Sequence, residues 1–350
     1  LACLLLDGVD QTIFQVFTHL PLDGYQSYDK ALDIYYLPVA YISTFRNWMN
    51  AAAFQISRFL LYYRLVGVVL FELTQLRALL LIFPNTFEYF FIWYEAVRVF
   101  WDARKLSTRA LLIAAGAIWV FIKLPQEYWI HIAQRDATDT LKALLGGGPD
   151  TPWGPLLADN WLVLLLAVGR IAAALYLLYR FLRARLPRPD HAPAFRADSV
   201  TEALTREQRR AAFQVWMARI FDRDLFEKVV LLALLITIFS SVIPTMATRP
   251  LTITVQVLVL VSLNTIASHL LARRGTTIAS GLAHFAVVLL GNVGLVYVLA
   301  LLFGRSLNWF NAAFFVLLLS LIVTLFDRFQ PYHLARFPRG ALWVRPGRGA

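Results

Sequence analysis

Cysteine is nearly missing from this chain. Cys3 is the only one in 350 residues, so neither an internal disulfide framework nor a cysteine-built metal site can form within a single copy. Charge is scarce as well: Asp, Glu, Lys and Arg supply 16% of the residues, where a soluble domain carries about a quarter. The sequence contains no Gly-rich phosphate loop, no nucleophile elbow and no zinc-ligand spacing, which removes the usual signatures of P-loop, serine-hydrolase and zinc chemistry. Lysine is sparse beside arginine, a bias that GC-rich bacterial coding produces.

What fills the chain is apolar. Hydrophobic residues reach 59%, aromatics 14%, and the mean hydropathy is +0.60. These values predict an all-α, polytopic transmembrane helical bundle with about ten spans of the 20 or so apolar residues a bilayer requires. Candidate spans run near 1–18, 31–45, 51–73, 78–101, 109–132, 160–183, 226–247, 251–272, 278–303 and 307–326. The chain opens at Leu1, directly in apolar sequence, and reads as starting inside a longer protein.

Four regions follow: an N-terminal membrane half (1–183), a basic linker (184–225), a four-span half (226–328) and a basic tail (329–350). Arginine and lysine sort the loops. The Arg183 to Arg223 segment, the Arg273-Arg274 turn and the tail with Arg336, Arg339, Arg345 and Arg348 belong on the cytoplasmic side of a bacterial inner membrane. The net charge of +11 then needs anionic lipid headgroups and no nucleic acid. Within the linker, Ala212, Phe213, Trp216, Met217, Ile220 and Phe221 fall at helical spacing between arginines, and Thr205 with Gln208 forms a capping box. This segment predicts an interfacial amphipathic helix.

Intramembrane charge concentrates in the first half: Arg58, Arg64, Glu72, Glu88, Glu95 and Arg98 lie in apolar stretches. Such residues face a bundle interior or a wet cavity. Pro84-Asn85 and Pro125 interrupt two spans, a break tolerated where the freed backbone lines protein or water. Lys123, Glu127 and His131 recur every four residues and form one polar stripe, suited to a proton path or to a salt bridge within the helix. In the second half, Asn264, Ser268, His269, His284 and Asn292 are explained by hydrogen bonds between helices.

The opening of the chain carries two aspartate pairs, Asp7 with Asp10 and Asp29 with Asp33, each able to share one helix face. Carboxylates meeting at one membrane level would hold a hard divalent cation. The Asp7-x-x-Asp10 and Asp29-x-x-x-Asp33 pattern, with Gly24 between, resembles the signature of the CDP-alcohol phosphotransferase superfamily, membrane enzymes of phospholipid synthesis. Gln11 and Phe14-Gln15 stand where that family carries glycine and an Ala-Arg pair. The resemblance implies Mg²⁺ or Mn²⁺ on Asp7, Asp10, Asp29 and Asp33, with Asp33 as the base on an acceptor alcohol, and a metal-dependent transferase acting on a lipid or lipid-linked phosphate. Arg58 and Arg64 would meet the phosphate. Counting spans back from Arg104 puts the Asp23 to Asp29 turn outside, which favours lipid-linked substrates over nucleotides.

Three alternatives stay open. The aspartates could pair with Arg46, Arg58 or Arg64 merely to hold helices in register. A proton- or ion-coupled transporter would use Glu72, Glu88, Glu95, Lys123, Glu127 and His131 as its path. A non-catalytic subunit of a membrane complex, as an oligomer or with a partner, would need none of this chemistry.

Overall fold

The computed structural model describes residues 25–133, 137–148, 151–190, 205, 207–208, 211, 214, 223–242, 258–266, 281–302 and 309–337. Their regular structure is all helical, as the composition predicts. In chain order the helices are α1 (Tyr25–Asn47), α2 (Ala51–Thr74), α3 (Ala78–Ile82), α4 (Thr86–Phe100), α5 (Thr108–Ile132) and α6 (Ala137–Leu144). There follow α7 (Trp153–Asp159), α8 (Trp161–Arg185), α9 (Arg223–Val242), α10 (258–266), α11 (Gly281–Leu302) and α12 (Trp309–Arg336). Among the described residues, α5 and α8 are the two helices long and apolar enough to cross a membrane. The first expected span, most of the interfacial helix and the end of the tail lie outside the described residues. What is described of the capping box matches the sequence: Thr205 and Gln208 exchange hydrogen bonds at 3.0 and 3.2 Å.

The chain divides into two compact units, residues 1–75 with 196–350, and residues 76–195. In the first unit, α1 packs on α2, α9 and α12, α9 packs on α2, and α11 packs on α12. Leu37, Tyr41, Ile42 and Phe45 recur at the three- to four-residue spacing of one helix face and are buried, as are Leu231, Leu232 and Leu235 of α9 and Ile322, Val323 and Phe326 of α12. Asn50 starts α2 by accepting the N–H groups of Ala52 and Ala53 at 3.0 and 3.2 Å. Gln75 ends it in the left-handed region at φ 57°, its N–H donating to the Phe71 carbonyl. The end of α12 is tied back to the end of α1: the Arg336 guanidinium donates to the carbonyls of Phe45 and Trp48. The charge pattern assigns Arg336 to the basic tail. Instead α12 runs ten residues past the expected end of its span.

In the second unit, α3 and α4 pack along α5. The interruption expected at Pro84-Asn85 separates α3 from α4. Pro125 does not break α5. The helix widens into π turns over Ile118–Lys123 and Tyr128–Ile132, and Pro125 sits in the first turn of the α segment between them, Leu124–Glu127. The unmade N–H of proline costs least at the start of a turn.

Candidate functional site

The polar stripe of α5 assembles as its spacing predicts. Glu127 Oε1 lies 3.5 Å from Lys123 Nζ, and Oε2 lies 3.0 Å from His131 Nε2. The Lys123 and Glu127 side chains are only 5% and 4% exposed, whereas His131 keeps 21% and forms the outer end of the stripe. A buried carboxylate between two bases is tolerable only when its lone pairs are matched. The match comes from the helix break: the backbone N–H of Asn85, at the N-terminal end of α4, donates to Glu127 Oε1 at 3.1 Å. The carboxylate thus meets both a cation and the positive end of a helix. Lys123 is held further by Gln126 Oε1 at 2.9 Å and by the face of Tyr89, 4.7 Å to the ring centroid.

Asn85 also draws in Glu88, its side-chain amide donating to Glu88 Oε2 at 2.7 Å. Of the remaining expected path residues, Glu95 pairs with Arg98 on its own helix through Nη1, 2.6 and 2.7 Å from the two oxygens. Glu72 belongs to the other unit and lies at the end of α2, its carbonyl accepting the Gln75 amide at 2.9 Å.

The first unit holds a polar interior of which the sequence singled out only Asn264 and Asn292. Lys228 of α9 and Asp327 of α12, both buried, form an ion pair, and Lys228 Nζ also donates to Thr265 Oγ1 of α10 at 2.9 Å. Beside it, Asn264 donates to Asn292, and Asn292 donates to Ser320 Oγ at 2.9 Å, joining α10, α11 and α12. This is the interhelical bonding expected of Asn264 and Asn292. Ser320, Thr324, Asp327, Gln330 and His333 of α12 are all buried. Of these, Asp327 Oδ2, Gln330 Oε1 and His333 Nδ1 accept no hydrogen bond among the described residues.

Arg58, expected to meet a phosphate, lies beside an acid. Its Nη1 lies 3.5 Å from Glu227 Oε2, while Tyr41 OH donates to Glu227 Oε1 at 2.5 Å and Tyr62 OH to the Glu227 carbonyl at 3.3 Å. Arg64, half-buried, lies six residues further along α2, and Arg46 stacks over Phe329, 5.4 Å to the centroid. Asp7 and Asp10, and the side chains of Asp29 and Asp33, lie outside the described residues; the backbone of α1 does place Asp29 and Asp33 one helical turn apart. Among the described residues, no group of three or more His, Cys, Asp or Glu could hold a metal ion.

Family models, curated proteins and solved structures give no match to this chain.

Proposed function

We propose that the chain is an integral protein of a bacterial cytoplasmic membrane, with about ten spans and a cytoplasmic C-terminus, and that it is a proton-coupled transporter. The observation that carries this reading is Glu127. It is a buried carboxylate inside a helix fit to cross a bilayer, bridging Lys123 on one side and a partly exposed His131 on the other. A proton arriving on His131 can pass from Nε2 to Glu127 Oε2. Neutralising Glu127 removes the charge that holds Lys123, so proton occupancy and the hold on the ammonium change together. The π turns on either side of Glu127 are of the kind that concentrate at functional sites. The test is proton flux into vesicles containing the full chain under an imposed pH gradient. Flux above that of protein-free vesicles supports the reading, and none overturns it.

A second reading rests on α1, which sets Asp29 and Asp33 on one helix face as a Mg²⁺- or Mn²⁺-dependent lipid-phosphate transferase would need. Here the divalent ion should raise the melting temperature of the purified protein, and Asp10→Asn with Asp33→Asn should abolish that rise. A wild type that ignores millimolar Mg²⁺ and Mn²⁺ sinks it.

A further inference from the structure

The two helices fit to cross a membrane bring cationic ends to one place in the second unit. α5 opens just after Arg104 and Lys105 and carries Arg109 in its first turn, while α8 closes on Arg183 and Arg185, with Arg188 just past its end. Direct contacts join the two: Trp101 Nε1 donates to the Pro187 carbonyl at 3.0 Å, Asp190 N–H donates to the Phe100 carbonyl at 3.1 Å, and Lys105 Nζ donates to Asp190 Oδ2 at 3.2 Å. The start of α5 and the end of α8 therefore share one rim. The other end of α8 follows Asp159 and Asn160 and has no cation in its first turn, so the charge belongs to one end of that helix.

The six cations of this rim have two carboxylates among them, and both are taken, Asp102 by Arg104 and Asp190 by Lys105. Of the exposed remainder, Arg183 meets the Tyr179 hydroxyl at 3.4 Å, and Arg185 lies over the Phe181 ring, 5.2 Å to the centroid. Arg109 and Arg188 make no hydrogen bond or ion pair among the described residues. The rest of the chain carries a surplus of the same sign. Lys and Arg outnumber Asp and Glu by 20 to 13 in the first unit and by 13 to 9 in the second. Neither the first unit nor a second copy brings an excess of negative charge to the rim, so the complementary partner is an anion from outside the chain. At the ends of membrane-crossing helices that anion is a lipid phosphate. Guanidinium groups match it, because their paired N–H groups meet two phosphate oxygens at once. Trp101 and Tyr179 stand at the same rim, as aromatic residues do where helices leave the hydrocarbon.

We propose that this rim binds acidic phospholipids, with Arg109, Arg183, Arg185 and Arg188 holding the headgroup phosphates. This rests on the membrane reading above and is independent of proton transport.

The test adds spin-labelled phosphatidylglycerol or spin-labelled phosphatidylcholine to the full chain in phosphatidylcholine vesicles and compares their association with the protein. Phosphatidylglycerol should be preferred by at least about fivefold, the ratio that one surface cation supplies. The combined variant Arg109→Gln, Arg183→Gln, Arg185→Gln, Arg188→Gln should lose most of that preference, and Arg109→Lys, Arg183→Lys, Arg185→Lys, Arg188→Lys should keep most of it. Equal association of the two lipids with the wild type, or a preference unchanged in the Gln variant, overturns the proposal. A preference abolished by millimolar inorganic phosphate at constant ionic strength assigns the rim to a free anion and overturns it as well. Each protein is first checked for resistance to carbonate extraction: a chain that washes off the vesicles overturns the membrane reading itself and is recognised before any labelled lipid is added.

Discussion

The backbone N–H of Asn85 donates to Glu127 Oε1 across 42 residues of sequence, at 3.1 Å. The helix break at Pro84-Asn85 and the charge stripe of α5 are therefore one feature. Proline cannot extend α3 into α4, and the amide thus left at the start of α4 stabilises a carboxylate that would otherwise be too costly to bury. Removing the acceptor should loosen this unit. Glu127→Ala leaves Lys123 buried without its counter-charge and should cost about 3–5 kcal/mol, read as a shift in the denaturation midpoint in mixed micelles. A loss below about 0.5 kcal/mol, the range of ordinary surface substitutions, would show that the stripe is not held as described.

The buried pair in the first unit gives a sharper version of the same test. Lys228→Ala or Asp327→Ala alone should destabilise by about 3–5 kcal/mol, because each strands an opposite charge in the interior. The double substitution Lys228→Met with Asp327→Leu should recover most of that loss. Additive losses in the double variant would mean that the two residues do not act as a pair.

Arg336 closes α1 by donating to the Phe45 and Trp48 carbonyls, and it also donates to the Tyr332 carbonyl one turn back on its own helix. A guanidinium offers several donors in a fixed fork, which an ammonium cannot match. Arg336→Ala should cost about 1.5–3 kcal/mol, with Arg336→Lys between it and the wild type. Identical thermal midpoints for all three would remove Arg336 from the account.

Part of this architecture was legible in the sequence and part was not, for identifiable reasons. Lys123, Glu127 and His131 lie on one helix, so a fixed period reveals them. The role of Asn85 could not be read, because a backbone N–H has no side-chain signature and its partner sits on another element. Lys228 and Asp327 lie 99 residues apart. Each stands at the border of an apolar run, where charge ordinarily marks the water interface. That is also why the last span was expected to stop at Phe326. Asp327 instead turns inward onto Lys228, and α12 continues to Arg336. Pro125 looked like a break, and only the π turns show how the helix absorbs it.

The contacts of Asp190, beyond the end of α8, should respond to acid. Asp190 accepts the Asp102 N–H at 3.0 Å and Lys105 Nζ at 3.2 Å, and these contacts hold its carboxyl below the usual aspartate range. Asp102 is held low in the same way, chiefly by Arg104. A carboxyl whose acidity rises on folding contributes above the unfolded value of about 4 and loses that contribution as pH falls through and below it. The protection of the Asp102 amide, taken relative to its intrinsic exchange rate at each pH, should therefore fall below about pH 4 in the wild type. Asp190→Asn should show fast exchange already at neutral pH. A protection factor in the wild type that stays constant through acid would contradict the contact.

The most direct measurement is proton flux through Glu127→Gln, followed with pyranine trapped in proteoliposomes. Glutamine keeps a carbonyl for the Asn85 N–H and nearly the same volume, so the helix break stays capped, but it can neither take nor give a proton at that position. The account predicts at least a tenfold loss of the flux seen with wild type, with Glu127→Asp retaining part of it. A Gln variant that conducts protons as well as the wild type would contradict the relay at its centre.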